Sequence, residues 1–319
     1  MTQPQPQQPR NRRRIIERPR LTRLLDESPA RIKMLIAPAG YGKTTLAHQW
    51  LEGGGRPHAW VTCRESSADV AALVEDVVAS VQKAGFEWGG AVARRVRATQ
   101  HPAREVDVLA ELLAEEALQW PDALWLVLDD YHLIAGSTAS ELLMGALSAA
   151  TPVQLVICGR RAPTWATARR LAYGEIVRVT RADLAMNTSE AASVLGHEPA
   201  VDASSVPGVP PALVQLQLLA GTRAAGARAS VHDFLAEEVL SGLSVDARRL
   251  TVALALAGSL DASVAQRAAE ALGLAAALDE AAESGLLERD PERVHMHPLV
   301  REFLVAKVAE LPHDRVEQL

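Results

Sequence analysis

The stretch Ala37-Pro-Ala-Gly-Tyr-Gly-Lys-Thr44 decides the fold. Ahead of it, the apolar run Ile32 to Ile36 reads as a buried strand; behind it, Thr44-Thr-Leu-Ala-His-Gln-Trp-Leu51 reads as a helix. A glycine-rich turn between such elements aims successive backbone N–H groups and the helix N-terminus at an anion. Pro38, Ala39, Gly40, Tyr41 and Gly42 would form the cradle, with Thr45 in the first helical turn. Lys43 would reach the β- and γ-phosphates of a nucleotide, and the Thr44 hydroxyl would ligate Mg²⁺. The pattern departs from G-x-x-x-x-G-K-[ST] at its first position, where Ala37 replaces glycine. A methyl group fits there if φ stays negative.

A lone Gly-Lys-Thr also describes an ordinary turn with a surface lysine, so the loop needs a second half. Leu124-Trp-Leu-Val-Leu-Asp-Asp130 supplies it: an unbroken apolar run ending in two carboxylates, as in a strand buried within a parallel sheet. Ligands of open α/β sheets bind at that carboxyl end. Asp129 is expected to hold Mg²⁺ through water, and Asp130 to orient or deprotonate an attacking water.

Of 319 residues, 48% are hydrophobic and 23% charged, which suits a globular protein of two or three domains. The sequence shows no apolar stretch of membrane-spanning length and no signal-peptide core, and the expectation is a cytoplasmic protein. Cys63 and Cys158, each beside a strand-like run, read as reduced core residues without zinc-ligand spacing. The net charge of −6 is unevenly spread: residues 1–33 carry nine Lys/Arg against three Asp/Glu, residues 231–319 eight against sixteen. The Pro/Gln-rich start and Asn11-Arg-Arg-Arg14 read as a disordered basic tail over residues 1–20. A solubilising role suits it best, with a nucleic-acid arm or a phosphate contact as alternatives.

Between residues 21 and 182 strand-like runs alternate with helical periodicity, the mark of a parallel sheet covered on both faces. The strands are Ile32–Ile36, Ala59–Thr62, Leu124–Leu128, Gln154–Ile157 and Glu175–Val179, with amphipathic helices over Val70–Lys83 and Val106–Trp120. Asn187-Thr-Ser-Glu190 reads as a helix start with Asn as cap and Glu three residues on. Residues 183–242 then read as a helical subdomain. Residues 243–312 carry further helices, a hairpin over Gly285–His295 and a last helix over Pro298–Ala309, a winged-helix pattern; 313–319 form a tail.

The chain resembles the nucleotide-binding core of STAND ATPases, most closely that of the maltose-regulator-type (MalT-like, LuxR-type large) transcription activators. The resemblance rests on Ala37–Thr44, on Asp129-Asp-Tyr-His-Leu-Ile134, and on Gly159-Arg-Arg-Ala-Pro163 through Arg181-Ala-Asp-Leu184. Gly208-Val-Pro210 and Met296-His-Pro-Leu-Val-Arg-Glu-Phe-Leu304 complete it. It implies a P-loop NTPase with a helical subdomain and a winged-helix domain, binding ATP or ADP with Mg²⁺. It further implies that Arg160 senses the γ-phosphate, that Pro210 packs near the adenine, and that His297 touches the β-phosphate of ADP. Cys63-Arg-Glu-Ser66 stands where the family usually has acids, and Pro298 where its Met-His-Asp triplet ends. The family's sensor repeats and helix-turn-helix are not in the sequence, so the expectation is either a fragment or an effector in another polypeptide.

Two functions follow as expectations. One is a regulatory switch, closed with ADP, opened by ATP, self-associating when open and answering an unknown inducer. The other is a working AAA+-like ATPase with continuous turnover. DNA binding through the winged helix is not expected, because Ala277-Leu-Asp-Glu-Ala-Ala-Glu-Ser284 has three acids and no base.

Overall fold

Strand β1 (Ile32–Ile36) is buried on both faces, with Ile32 and Met34 in one apolar cluster and Leu35 in the other. A strand covered twice needs paired edges and helices on both sides. Both are present in the computed structural model, which describes residues 16–150, 152–195, 211, 243–257, 260–284, 286–289, 292–296 and 298–310. Strands β2 (His58–Thr62), β3 (Trp125–Asp129), β4 (Gln154–Gly159) and β5 (Ile176–Val179) join β1 in a five-stranded parallel sheet, ordered β2-β3-β4-β1-β5.

This order carries the function. Strand β4 crosses back between β1 and β3, with Ile36 opposite Gly159 and Leu128 opposite Ile157. The carboxyl ends of three strands therefore meet at one edge, as ligand sites in open α/β sheets require.

Helices α1 (Pro19–Glu27) and α2 (Lys43–Gly53) cover one face through Leu21, Leu25, Leu46, Trp50 and Leu51. The other face is covered by α3 (Val70–Lys83), α4 (Gly90–Ala98), α5 (Val106–Ala117) and α6 (Thr138–Ala149). Apolar residues at three- and four-residue spacing make α3 pack: Val70, Leu73, Val74, Val77, Val78 and Val81 are all buried, and each such side chain contributes about 1.5–3 kcal/mol. Asp69 caps that helix by accepting from the amides of Ala71 and Ala72 at 2.9 and 3.1 Å.

The described residues begin inside the span that the sequence reading assigns to a tail. Within the span 1–20, Arg18 is buried and α1 starts at Pro19. The cause is electrostatic. The Arg18 guanidinium donates to the carbonyls of Leu184 and Ala185 at 2.7 and 2.9 Å and to Glu190 Oε2 at 2.9 Å. Glu190 belongs to the expected Asn187 capping box: Asn187 Oδ1 accepts from the Glu190 amide at 2.8 Å, and Glu190 Oε2 accepts from the Asn187 amide at 3.1 Å.

Three short helices come between, α7 (Ala168–Ala172), α8 (Arg181–Leu184) and α9 (Thr188–Leu195). A second apolar cluster forms from α10 (Val245–Ala257), α11 (Ala262–Ala271), α12 (Ala275–Glu283) and α13 (Pro298–Glu310) around Leu250, Leu278 and Phe303. It includes a three-stranded antiparallel sheet of β6 (Leu260–Asp261), β7 (Leu287–Arg289) and β8 (Arg293–Met296), ordered β6-β8-β7. The β7–β8 pair occupies the expected hairpin. Among the described residues no helix is long and apolar enough to cross a membrane.

Candidate functional site

The site is assembled from three chain turns at the carboxyl edge of the sheet. After β1 the chain enters the loop Ala37–Gly42, in which Gly40 and Gly42 take φ values of 81° and 75°. Only glycine adopts that region readily, so the motif glycines are required by the backbone. Ala37 is not among the positive-φ residues, so the methyl group that replaces the first glycine is tolerated. Gly42 caps α2, and its carbonyl accepts from the Leu46 amide at 2.8 Å. Pro38 and Tyr41 are buried, Ala39 is half-buried, and Thr44 and Thr45 lie exposed on the first turn of α2.

Lys43 is buried and folds back over the loop, donating to the Pro38 carbonyl at 2.8 Å. Burial lowers its amine pKa, and Asp129 and Asp130 oppose that shift. The Thr44 hydroxyl donates to Asp129 Oδ1 at 3.1 Å, which joins the loop to the acid strand. Asp129 is the last residue of β3, is 5% exposed, and its carboxyl pKa is raised by burial and then by Asp130. A buried carboxylate beside a hydroxyl is a hard-oxygen pair of the kind Mg²⁺ takes, with phosphate and water completing the octahedron. The residues present fit that ion.

Asp130 is the one non-glycine residue with positive φ among the described residues, at 53°. A left-handed residue costs about 1–2 kcal/mol, least for Asp and Asn, and such strain concentrates at functional sites. Here it turns the chain sharply out of β3. Tyr131 then enters the core while the Asp130 carboxylate stays half exposed.

The third turn follows β4. Gly159 O accepts from the Ala37 amide at 3.2 Å, tying the end of β4 to the phosphate loop. A Cβ at Gly159 would lie 3.2 Å from the Arg161 carbonyl, so only hydrogen fits comfortably there. Arg160 comes next, exposed, and it acts electrostatically on both Lys43 and His132. The site therefore brings together Lys43, Thr44, Asp129, Asp130 and Arg160. Pro210 and His297 lie outside the described residues, as do residues 1–15 and nearly all of 196–242.

Two features were not read from the sequence. His132 Nδ1 is buried without a hydrogen-bond partner, 3.9 Å from Asp130 Oδ1. Burial, and then Arg160, push its imidazole down to about 4, so the ring is neutral at ordinary pH. Its place two residues after Asp130 was the available signal. The second feature is a buried brace. Trp165 Nε1 donates to Tyr131 Oη at 3.0 Å, while Glu141 accepts from the Thr164 amide at 2.6 Å and also from the Thr164 hydroxyl. It fixes the loop that carries Arg160 against the turn that carries Asp130. Nothing local in the sequence links Glu141 to Thr164.

No family model matches the chain. It is 28% identical over 310 residues to the HTH-type transcriptional regulator MalT of Cronobacter sakazakii, with 89% of this chain covered. The chain spans about a third of that relative's length (34%). Among solved structures, a Walker-type ATPase of Pyrococcus abyssi superposes with a TM-score of 0.58 at 16% identity, covering 91% of this chain and 96% of that one. At that identity the likeness speaks for the fold alone, a parallel α/β core with a P-loop.

Proposed function

We propose that this MalT-like P-loop ATPase core is a regulatory switch read out by its bound nucleotide. The observation that carries the reading is the convergence of Lys43, the Thr44–Asp129 pair, Asp130 and Arg160 at one sheet edge. In this reading the loop amides and Lys43 bind the phosphates of ATP or ADP, and Thr44 and Asp129 hold Mg²⁺. That ion, when bound, screens the phosphate charge. Asp130 orients or deprotonates the attacking water, with neutral His132 beside it, and the Arg160 guanidinium binds the γ-phosphate. Hydrolysis is slow and serves as a timer.

The domain boundaries of the sequence reading belong to the same proposal: nucleotide-binding domain, helical subdomain from residue 183, winged-helix-like domain from residue 243. Pro210 would pack on the adenine and His297 would touch the ADP β-phosphate, so the C-terminal domain closes over ADP and is released by ATP. A contact made in one nucleotide state only is what shifts such an equilibrium. The open state self-associates. The acidic character of α12 argues for a lid over a DNA reader, and an inducer would act through other parts of a longer system.

The test is sedimentation of the purified chain with Mg²⁺ and either ADP or a non-hydrolysable ATP analogue. A monomer with ADP and a larger species with the analogue support the switch; one unchanged mass in both sinks the self-association step. A second reading has its own support, since the Walker-type ATPase of Pyrococcus abyssi is matched over nearly its whole length. A working ATPase would turn over continuously, with kcat on the order of 1 s⁻¹ or more. Slow release of ADP and negligible steady-state turnover separate the switch from it.

A further inference from the structure

Strand β1 carries a lysine on a face otherwise lined with apolar residues. Lys33 is 2% exposed, shares the α1–α2 side with Leu35, and donates to the Ser28 carbonyl at 2.6 Å. Its Nζ lies 5.8 Å from the centroid of the Trp50 ring, within cation–π range. An ammonium has three N–H donors, and among the described residues Ser28 is the one acceptor within hydrogen-bond distance.

The nearby charges are already committed. Asp26 accepts from Trp50 Nε1 at 2.7 Å and from Arg56 at 2.6 Å. Arg56 lies over the same indole, its Cζ 4.5 Å from the ring centroid, and is held there by the Trp50 carbonyl at 2.7 Å. Arg31 is taken by Glu175 and by the carbonyls of Ala150 and Val153. Lys33 is left as a buried cation without a carboxylate of its own, and burial pushes its amine down to about 8. Buried charges are normally paired, and their desolvation is costly when they are not.

These groups line a cavity of about 460 Å³, with Trp125 and the exposed Asp122 on its walls. That size is within the range of small-molecule sites, and the half-buried Trp125 indole offers apolar surface, while Trp50 is already covered by Arg56. The cavity lies at the amino end of the sheet, opposite Lys43.

We propose that this cavity binds a small monocarboxylate, its carboxylate paired with Lys33 and its apolar body against Trp125. The single uncommitted cation sets the charge at one. Asp26 and Asp122 on the walls disfavour a doubly charged phosphate. The proposal concerns binding alone and stands whether or not the loop at the other end of β1 takes a nucleotide.

The test is calorimetric titration of the full chain with benzoate at constant ionic strength, with inorganic phosphate as control. The expected result is saturable benzoate binding, no phosphate binding at this site, and affinity weakened about tenfold or more by Lys33→Met, since a charge-assisted bond is lost. Absence of saturation, or equal affinity in Lys33→Met, overturns the proposal. A readout in the wild type covers the case in which that variant fails to fold. The Lys33 side-chain NMR resonance is followed against pH, and benzoate must raise its titration midpoint. An unmoved midpoint overturns the proposal as well.

Discussion

The two ends of β1 bury a lysine each, and they do so in different company. At the carboxyl end, Lys43 turns back onto the Pro38 carbonyl near Asp129 and Asp130, at the mouth of a loop shaped by two positive-φ glycines. At the amino end, Lys33 sits over Trp50 beside Asp26, a carboxylate that Arg56 and Trp50 already occupy. The first lysine belongs to a set of charges of both signs at the carboxyl ends of β1, β3 and β4. The second is a solitary charge in an aromatic setting. Buried charge is stabilising only when paired, so the two ends differ in what would complete them: phosphate and a cation above, a single anion with an apolar body below.

The largest expected effect lies at the amino end. Trp50 is 3% exposed and meets Trp125 edge-on at 4.8 Å, so Trp50→Ala should cost about 3–5 kcal/mol in denaturant unfolding. A loss under about 1 kcal/mol would mean that this end is not packed as described.

Lys43→Ala comes next. ADP affinity should fall about a hundredfold by calorimetry, because a charge-assisted contact to phosphate is lost, while unfolding without ligand changes little. If both lysine variants lowered ADP affinity equally, the distinction between the ends would collapse.

His132 sharpens the upper end. Its imidazole is pushed from 6.5 to about 4, so the unfolded chain holds the extra proton between those values. Stability is full above the ordinary value and is lost as pH falls from 6.5 toward 4. His132→Gln should flatten that limb by on the order of 2 kcal/mol in acid unfolding curves.

The smallest effect belongs to Lys33. Its ordinary value of 10.5 is lowered to about 8, so between these the unfolded state again binds the proton and stability rises with pH. Lys33→Met should abolish that rise and add about 1 kcal/mol at neutral pH, as replacement of a buried charge by an apolar group of like volume often does. Unfolding midpoints from pH 7 to 10.5 check it.

Much of the upper end was legible beforehand, for a physical reason. A phosphate loop needs glycines at fixed spacing and a following Lys-Thr, and a buried strand ending in acids is an unbroken apolar run. Both signals are local. The boundaries slipped where pairing sets them: β3 runs Trp125–Asp129, one residue later than its apolar run suggests, because Thr62 pairs with Asp129. Strand β4 continues to Gly159 because Ile36 is its partner. Helices Gly90–Ala98 and Thr138–Ala149 escaped notice; the first carries three arginines in nine residues, and its buried face is narrow.

What the sequence could not carry is placement across the sheet. The crossing of β4 between β1 and β3 brings Arg160 to Lys43, and no local pattern encodes strand order. The Glu141–Thr164 brace joins residues on different elements. Nothing local in the run Ile32–Ile36 marks Lys33 as a buried cation beside the Trp50 indole.

The central claim is that the Lys43 end holds a nucleotide. The direct measurement is to denature freshly purified protein and identify released nucleotide by chromatography, with Lys43→Ala prepared alongside. Near-stoichiometric ADP from the wild type and none from the variant is the predicted result. No nucleotide from either protein, followed by no binding when ADP and Mg²⁺ are titrated in, would contradict it.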